Sequence, residues 1–160
     1  MSAHGPTLHA CAVEIGGVGV LIEGPSGSGK TSLALGLLET AERRAIEAHF
    51  VCDDRALVEA VDGVLVARVP AAIAGKVEIR GFGIAAIAHR PSCRIGLAVR
   101  LVGDDALERM PPPRTVRFAG IEVPMVEVPS LHEAQGVRIV LAVLARMAGE
   151  AAPVGRGYER

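Results

Sequence analysis

Residues 24–31 read GPSGSGKT and place glycines, one lysine and one hydroxyl at the spacing G-x-x-x-x-G-K-[ST]. Backbone N–H groups can wrap phosphate oxygens only where the chain turns tightly, and glycines at 24, 27 and 29 permit the necessary dihedrals. Lys30 brings a positive charge for β and γ phosphates, and Thr31 a hydroxyl for Mg²⁺. Gly24, Pro25, Ser26, Gly27, Ser28, Gly29, Lys30 and Thr31 are therefore the expected nucleotide-binding set, with Lys30 on an exposed loop. A Gly-Ser-rich octet is on its own an ordinary loop. Here only two lysines occur against fifteen arginines, and one of the two falls where the motif demands it. The chemistry indicated is the binding of a nucleoside triphosphate.

A second constellation is Asp53-Asp54, which ends the short apolar run HFVCDD at 49–54. Two aspartates after a strand are usually a solvated turn. One crossover after a phosphate-binding loop they acquire a purpose, since carboxylates neutralise and position the metal and accept a proton from an incoming hydroxyl. Adjacent side chains at a strand end diverge, so one can face the metal and the other the acceptor. The third, VEIRGFGI at 77–84, packs a carboxylate, an arginine and two glycines into one segment. Alone it reads as a strand followed by a glycine turn.

These groups need strand, loop and helix in that order, and the chain supplies them. VGVLIE at 18–23 is an apolar strand before the loop, and residues 31–44 carry apolar side chains at 33, 34, 37, 38 and 41, a helical stripe. Phosphates would then sit at a helix N-terminus, where the backbone dipole favours them. Residues 7–15 alternate loosely before Gly16-Gly17, which predicts a hairpin into the strand at 18–23. Residues 55–70 break at Asp62-Gly63, the dipeptide of a tight hairpin turn. Further strands are expected at 76–78, 95–102 and 116–123, with an irregular connector at 110–114, where three prolines run together. A C-terminal helix over 132–148 has apolar residues at 137, 140, 141, 144 and 148, and Ser130-x-x-Glu133 resembles a capping box. Neither repeat nor linker divides residues 1–148, so they are expected to form one domain, with 149–160 a fraying tail.

Composition sets limits. Half of the 160 residues are apolar, enough for one core without disulfide or metal. A net charge of −1 with interspersed signs gives no electrostatic grip on nucleic acid, and Phe50, Phe82, Phe118 and Tyr158 are too few for a base-stacking platform. Cys11, Cys52 and Cys93 are odd in number and scattered, so they read as buried reduced thiols. The N-terminus lacks a basic segment and a long apolar core, and no later run is long enough to span a bilayer. The expected partners include no nucleic acid and no membrane, and the expected compartment is the cytoplasm.

The three motifs together resemble the C-terminal catalytic domain of HPr kinase/phosphorylase, the bifunctional bacterial enzyme that phosphorylates a serine of the phosphocarrier HPr. His9 leading through GVGVLIEGPSGSGKT, then CDD soon after the helix, then EIRGFGI stand in the family's order, and the match runs from about His9 to Met147. The resemblance implies an α/β fold, a P-loop kinase domain rich in β-strands and related to the nucleotide-binding region of phosphoenolpyruvate carboxykinase. It implies ATP and Mg²⁺ as cofactors and an HPr-like phosphocarrier as partner. It also implies roles: His9, fifteen residues before Gly24, near the transferred phosphate; Lys30 on the β and γ phosphates; Thr31, Glu78 and Asp53 as the metal set. Asp53 and Asp54 match an acidic pair of which one is the general base, and Asp53 is favoured. Arg109 falls where the family has an arginine that steadies the transferring phosphoryl group.

The chain also departs from the family. The long form's separate N-terminal domain is missing, and Met1 at the start leads us to expect a natural short version. The stretch IAHRPSCRIGLAV is shorter than the family's acceptor-contacting loop. After VEVP the chain reads PSLHEAQG where the family carries a basic segment linked to dephosphorylation. Kinase activity is therefore expected and its reversal is in doubt. A homo-oligomer is compatible with the reading, although hexamer contacts are not carried over. Two other readings stand beside it: a small-molecule P-loop kinase, which predicts a preformed pocket rather than an open groove, and a nucleotide-binding regulatory module with little transfer activity.

Overall fold

The computed structural model describes residues 5–149 and contains eleven strands and two α-helices among them. The chain begins with a hairpin that the sequence announces. Strands β2 (Ala10–Ile15) and β3 (Val18–Glu23) pair antiparallel from Ala10 opposite Glu23 to Ile15 opposite Val18. Gly16 and Gly17 take φ of 57° and 84°, the left-handed values that a two-residue hairpin loop needs at both central positions. Strand β1 (Thr7–Leu8) is set apart from β2 by a bend at His9 and pairs instead with β5 (Ala56–Val61).

Beyond the loop at 24–29 come helix α1 (Lys30–Arg43) and strand β4 (Ala48–Cys52). Strands β5 and β6 (Val64–Arg68) form the hairpin expected around Asp62-Gly63, with φ of 50° and 78°. Strand β7 (Lys76–Ile79) returns through Gly81 and Gly83, both left-handed, to β8 (Gly83–Ala86), a second strand that the sequence reading does not contain. Strand β9 (Ser92–Val102) is eleven residues long, three more than expected at its start. The single strand expected at 116–123 is corrected. Ala119 and Gly120, at φ 49° and 79°, turn the chain between β10 (Arg114–Phe118) and β11 (Ile121–Pro129). An alanine in the left-handed region costs about 1–2 kcal/mol, so sequence gives no cue for a turn there.

The main sheet runs β1-β5-β6-β9-β3-β2-β4, and β11, followed by β10, branches from β9. The branch works because β9 uses different parts of its length: Ser92–Arg94 pair with β6, and Ala98–Val102 pair with β11. Strands β3, β9 and β11 are parallel, and β4 is antiparallel to β2, as β3 is, so four C-terminal ends emerge at one edge. That edge carries both the phosphate-binding loop after β3 and the aspartates after β4.

Alternation along β2 divides the core. Cys11, Val13 and Ile15 face α1 and helix α2 (Glu133–Met147), with Leu33 and Leu37 of α1 and Val140 and Leu141 of α2; Ala10 and Ala12 face the strands curling over the opposite side. The helices approach closely at two glycines. A Cβ on Gly36 would lie 2.7 Å from Glu133 Oε1, and one on Gly136 would lie 3.0 Å from Leu33 Cδ1. The capping box expected at Ser130 is not formed. Leu131 adopts φ 60° and sets Ser130 outside the helix, the N-cap is His132 without a side-chain bond, and the Ser130 N–H donates to Val102 O at 2.7 Å. Among the described residues no helix is long and apolar enough to cross a membrane. The tail expected at 149–160 lies, apart from Gly149, outside the described residues.

Candidate active site

Strand β3 ends at Glu23, and the loop turns through Gly27 and Gly29 at φ 78° and 98° before α1 begins at Lys30. A side chain at Gly24 has no room, since its Cβ would lie 2.7 Å from Ser28 Oγ and 2.9 Å from Leu101 Cβ. Gly29 caps α1 without a side-chain bond, and the first turn holds no acidic residue. Its N–H groups are therefore presented to an anion with no carboxylate of that turn competing for them.

Lys30 is buried, at 7 % exposure, which corrects the expectation of an exposed loop residue. It opens α1 and folds back under the loop, donating from Nζ to Gly24 O at 2.8 Å and Pro25 O at 3.2 Å, and it lies 3.6 Å from Asp54 Oδ1. The ammonium thus bridges the phosphate loop and the acidic pair.

The two aspartates do diverge. Asp53 points inward: Oδ1 accepts from the Thr31 hydroxyl at 2.7 Å and from the Cys11 thiol at 3.4 Å, and Oδ2 accepts from the Glu78 N–H at 2.8 Å. Asp54 sits in the left-handed region at φ 54°, its N–H donates to Cys11 Sγ at 3.4 Å, and its side chain is 59 % exposed. Burial pushes the Cys11 thiol up to about 12, with the nearby Asp53 charge acting the same way and the Asp54 N–H opposing, so Cys11 is an S–H donor at neutral pH.

Two adjoining hollows share the acidic residues. An open groove of about 550 Å³ runs past Gly29, Lys30 and Thr31 to Asp53, Asp54 and Glu78, with Ile79, Arg80 and Leu131 as walls. A second hollow of about 430 Å³ reuses Asp53, Asp54 and Glu78 and adds Arg55, Lys76 and Ile84. The first contains the phosphate-binding loop and the second does not.

Eight residues named from sequence, Ser26, Gly27, Gly29, Lys30, Thr31, Asp53, Asp54 and Glu78, line the first groove, and Gly24, Pro25 and Ser28 of the loop do not. His9 and Arg109 do not line it. His9 is exposed at the bend before Ala10, whose partner is Glu23, so it stands at the same sheet edge. Arg109 is exposed in the loop between β9 and β10, also at that edge. Leu131 was not anticipated: 73 % exposed and left-handed, it overhangs the loop and donates its N–H to Ser28 O at 3.1 Å. Cys11 was read only as a buried thiol, because nothing in its sequence context points to the aspartates forty residues on.

Thr31, Asp53 and Glu78 are hard oxygen donors of the kind Mg²⁺ takes, although among the described residues no three carboxylate, histidine or cysteine side chains converge as a ready-made metal centre, and the open amides with Lys30 suit a polyphosphate. Comparison with known proteins places the whole chain. HPr kinase/phosphorylase of Clostridium beijerinckii is 39 % identical over 77 residues, 48 % of this chain and 24 % of the relative, and that of Clostridium tetani is 36 % identical over 77 residues. The chain thus spans about a quarter of the length of these curated relatives. The structure of the Hpr(Ser) kinase/phosphatase from Coxiella burnetii superposes with a TM-score of 0.74 at 27 % identity, covering 90 % of this chain and 98 % of the other. The family model described as HPr Serine kinase C-terminal domain matches residues 2–152, nearly the whole sequence, and the chain belongs to that family.

Proposed function

We propose that this chain transfers the γ-phosphoryl group of ATP, with Mg²⁺, to a seryl hydroxyl of an HPr-like phosphocarrier. The observation that carries the reading is the sharing of Asp53, Asp54 and Glu78 between a groove that holds the phosphate-binding loop and a hollow that does not. Donor and acceptor can therefore approach the same carboxylates from two adjoining hollows.

In this reading the N–H groups of residues 27–31 cradle the phosphates, and Lys30 exchanges the loop carbonyls for β and γ oxygens. Thr31, Asp53 and Glu78 would hold Mg²⁺, which when bound neutralises charge on the phosphate oxygens. A seryl hydroxyl is a poor nucleophile, so a carboxylate within hydrogen-bond reach must take its proton, and Asp53 is assigned that role with Asp54 beside it. His9 and Arg109 are placed at the edge of the site, to meet the phosphoryl group when donor and acceptor are bound. Reversal is not part of the proposal, since PSLHEAQG brings no added cation to the start of α2.

The shape of the site favours a protein acceptor over a compact metabolite. The acceptor-side hollow is open, flanked by Arg55 and Lys76 and by Ile84, 64 % exposed on the β7–β8 hairpin. The reading is tested by Mg²⁺-dependent transfer of label from γ-labelled ATP to an HPr-like carrier. Serine-linked label supports it, and a carrier left unlabelled by protein that binds ATP contradicts it.

A further inference from the structure

Cys11 is the buried side chain that ties the acidic pair together, and the proposed chemistry leaves it without a task. It lies on β2 with no exposed surface, in the core face toward α1. Its Sγ makes three approaches to the site: the thiol donates to Asp53 Oδ1 at 3.4 Å, Sγ accepts the Asp54 N–H at 3.4 Å, and Sγ lies 4.0 Å from Thr31 Oγ1. A side chain needed only for packing would not have to be both donor and acceptor here. An apolar residue of similar size would fill the space and leave the Asp54 amide without this partner.

The two aspartates need this support for different reasons. Asp53 must keep Oδ1 toward Thr31 while its other oxygen is held by the Glu78 amide. Asp54 adopts φ 54°, a region aspartate enters more readily than most residues with a Cβ, and the bond from its N–H to Cys11 Sγ fixes that turn in place. The Cys11 sulfur meets both requirements with one atom, gripping the Asp53 side chain and the Asp54 backbone at once.

We propose that Cys11 is a positioning residue for phosphoryl transfer, fixing the Asp53 carboxylate toward Thr31 and the left-handed turn of Asp54 through its two hydrogen bonds. The inference rests on the kinase reading. Transfer between groups in a fixed geometry is sensitive to displacements of about 1 Å, so releasing this anchor should act on the chemical step rather than on binding.

The test compares the full chain with Cys11→Val, which removes both hydrogen-bonding functions and adds one methyl, with Cys11→Ala, which removes them without adding bulk and should lose kcat alike, and with Cys11→Ser, which keeps donor and acceptor. Transfer from γ-labelled ATP to an HPr-like carrier is measured with Mg²⁺ at a temperature where all four proteins are folded. Cys11→Val is expected to lose about tenfold or more in kcat, with KM for ATP and carrier within twofold of the parent. Cys11→Ser is expected to retain most of the rate, although a buried hydroxyl in this apolar cluster makes it less stable than Cys11→Val. A role in packing alone predicts the reverse order, with valine at least as active as serine. Either that order or an unchanged kcat in Cys11→Val would overturn the proposal while leaving the kinase reading in place. A parent chain that binds ATP and labels no carrier would overturn both.

Discussion

Replacing Asp53 by asparagine separates its structural work from its chemical work, and the geometry sets both magnitudes. The carboxylate accepts on both oxygens, from Thr31 at 2.7 Å and from the Glu78 N–H at 2.8 Å. Asparagine offers one oxygen and one amide. The backbone N–H of Glu78 can only donate, so the oxygen must face it, and the new amide then points at Thr31, whose hydroxyl can turn to accept. The bonds with Thr31 and Glu78 survive but lose their charge, a difference of about 1 kcal/mol each, while the weak bond from the Cys11 thiol loses its acceptor. Asp53 is half-buried and asparagine relieves the charge of Asp54 beside it, so a net loss of about 1 kcal/mol is expected. Asp53→Ala removes the acceptor entirely, and although water can reach the Glu78 amide, loss of both charge-assisted bonds should cost about 2 kcal/mol. The effect on chemistry is far larger. Without a proton acceptor the transfer rate should fall by about 10²- to 10⁴-fold in Asp53→Asn, with nucleotide binding retained. Urea denaturation reads the first pair of numbers, and labelled transfer to the carrier reads the last. An Asp53→Ala protein as stable as Asp53→Asn would refute the bonded role of the carboxylate. Transfer at the parental rate in Asp53→Asn would remove Asp53 from the chemistry and direct attention to Asp54.

Alkaline stability tests the buried thiols. Burial raises Cys11 and Cys93 from 9.0 to about 12, and Cys52 moves the same way. Their contribution is complete below pH 9 and is lost as pH rises from 9 toward 12, because the unfolded chain releases these protons first. Each thiol contributes a slope of about 1.4 kcal/mol per pH unit, so urea midpoints should fall steeply above pH 9 and less steeply in Cys52→Ala. A midpoint unchanged between pH 9 and 10.5 would show that these sulfurs are not sequestered. Lys30→Met should lower transfer by at least about 10²-fold, since it removes the one charge between loop and acidic pair. It also releases two loop carbonyls, so nucleotide affinity should fall with it; an active Lys30→Met protein would contradict the placement of the phosphates.

The parts of this site legible in sequence are those whose chemistry is local. GPSGSGKT reports its own turn, because the backbone there demands glycine, and Asp53-Asp54 could be read because a strand end in a P-loop protein has few other uses. Asp62-Gly63 announced its hairpin by residue type, whereas Ala119-Gly120 forms the same kind of turn with an alanine that strand pairing holds in place. Long-range relations were harder to read. Burial of Lys30 depends on carbonyls of the loop it closes, and Leu131 meets that loop through its N–H bond to Ser28 O, about a hundred residues away in sequence. The support beneath Asp53 comes from Cys11 on one side and the Glu78 amide on the other, contacts spanning 42 and 25 residues that no spacing encodes.

The central claim is the transfer itself. Purified chain incubated with γ-labelled ATP, Mg²⁺ and an HPr-like phosphocarrier should place acid-stable label on one serine of the carrier, and omission of Mg²⁺ should abolish it. Nucleotide bound with no label on the carrier, or label lodged on a small molecule instead, would contradict the account.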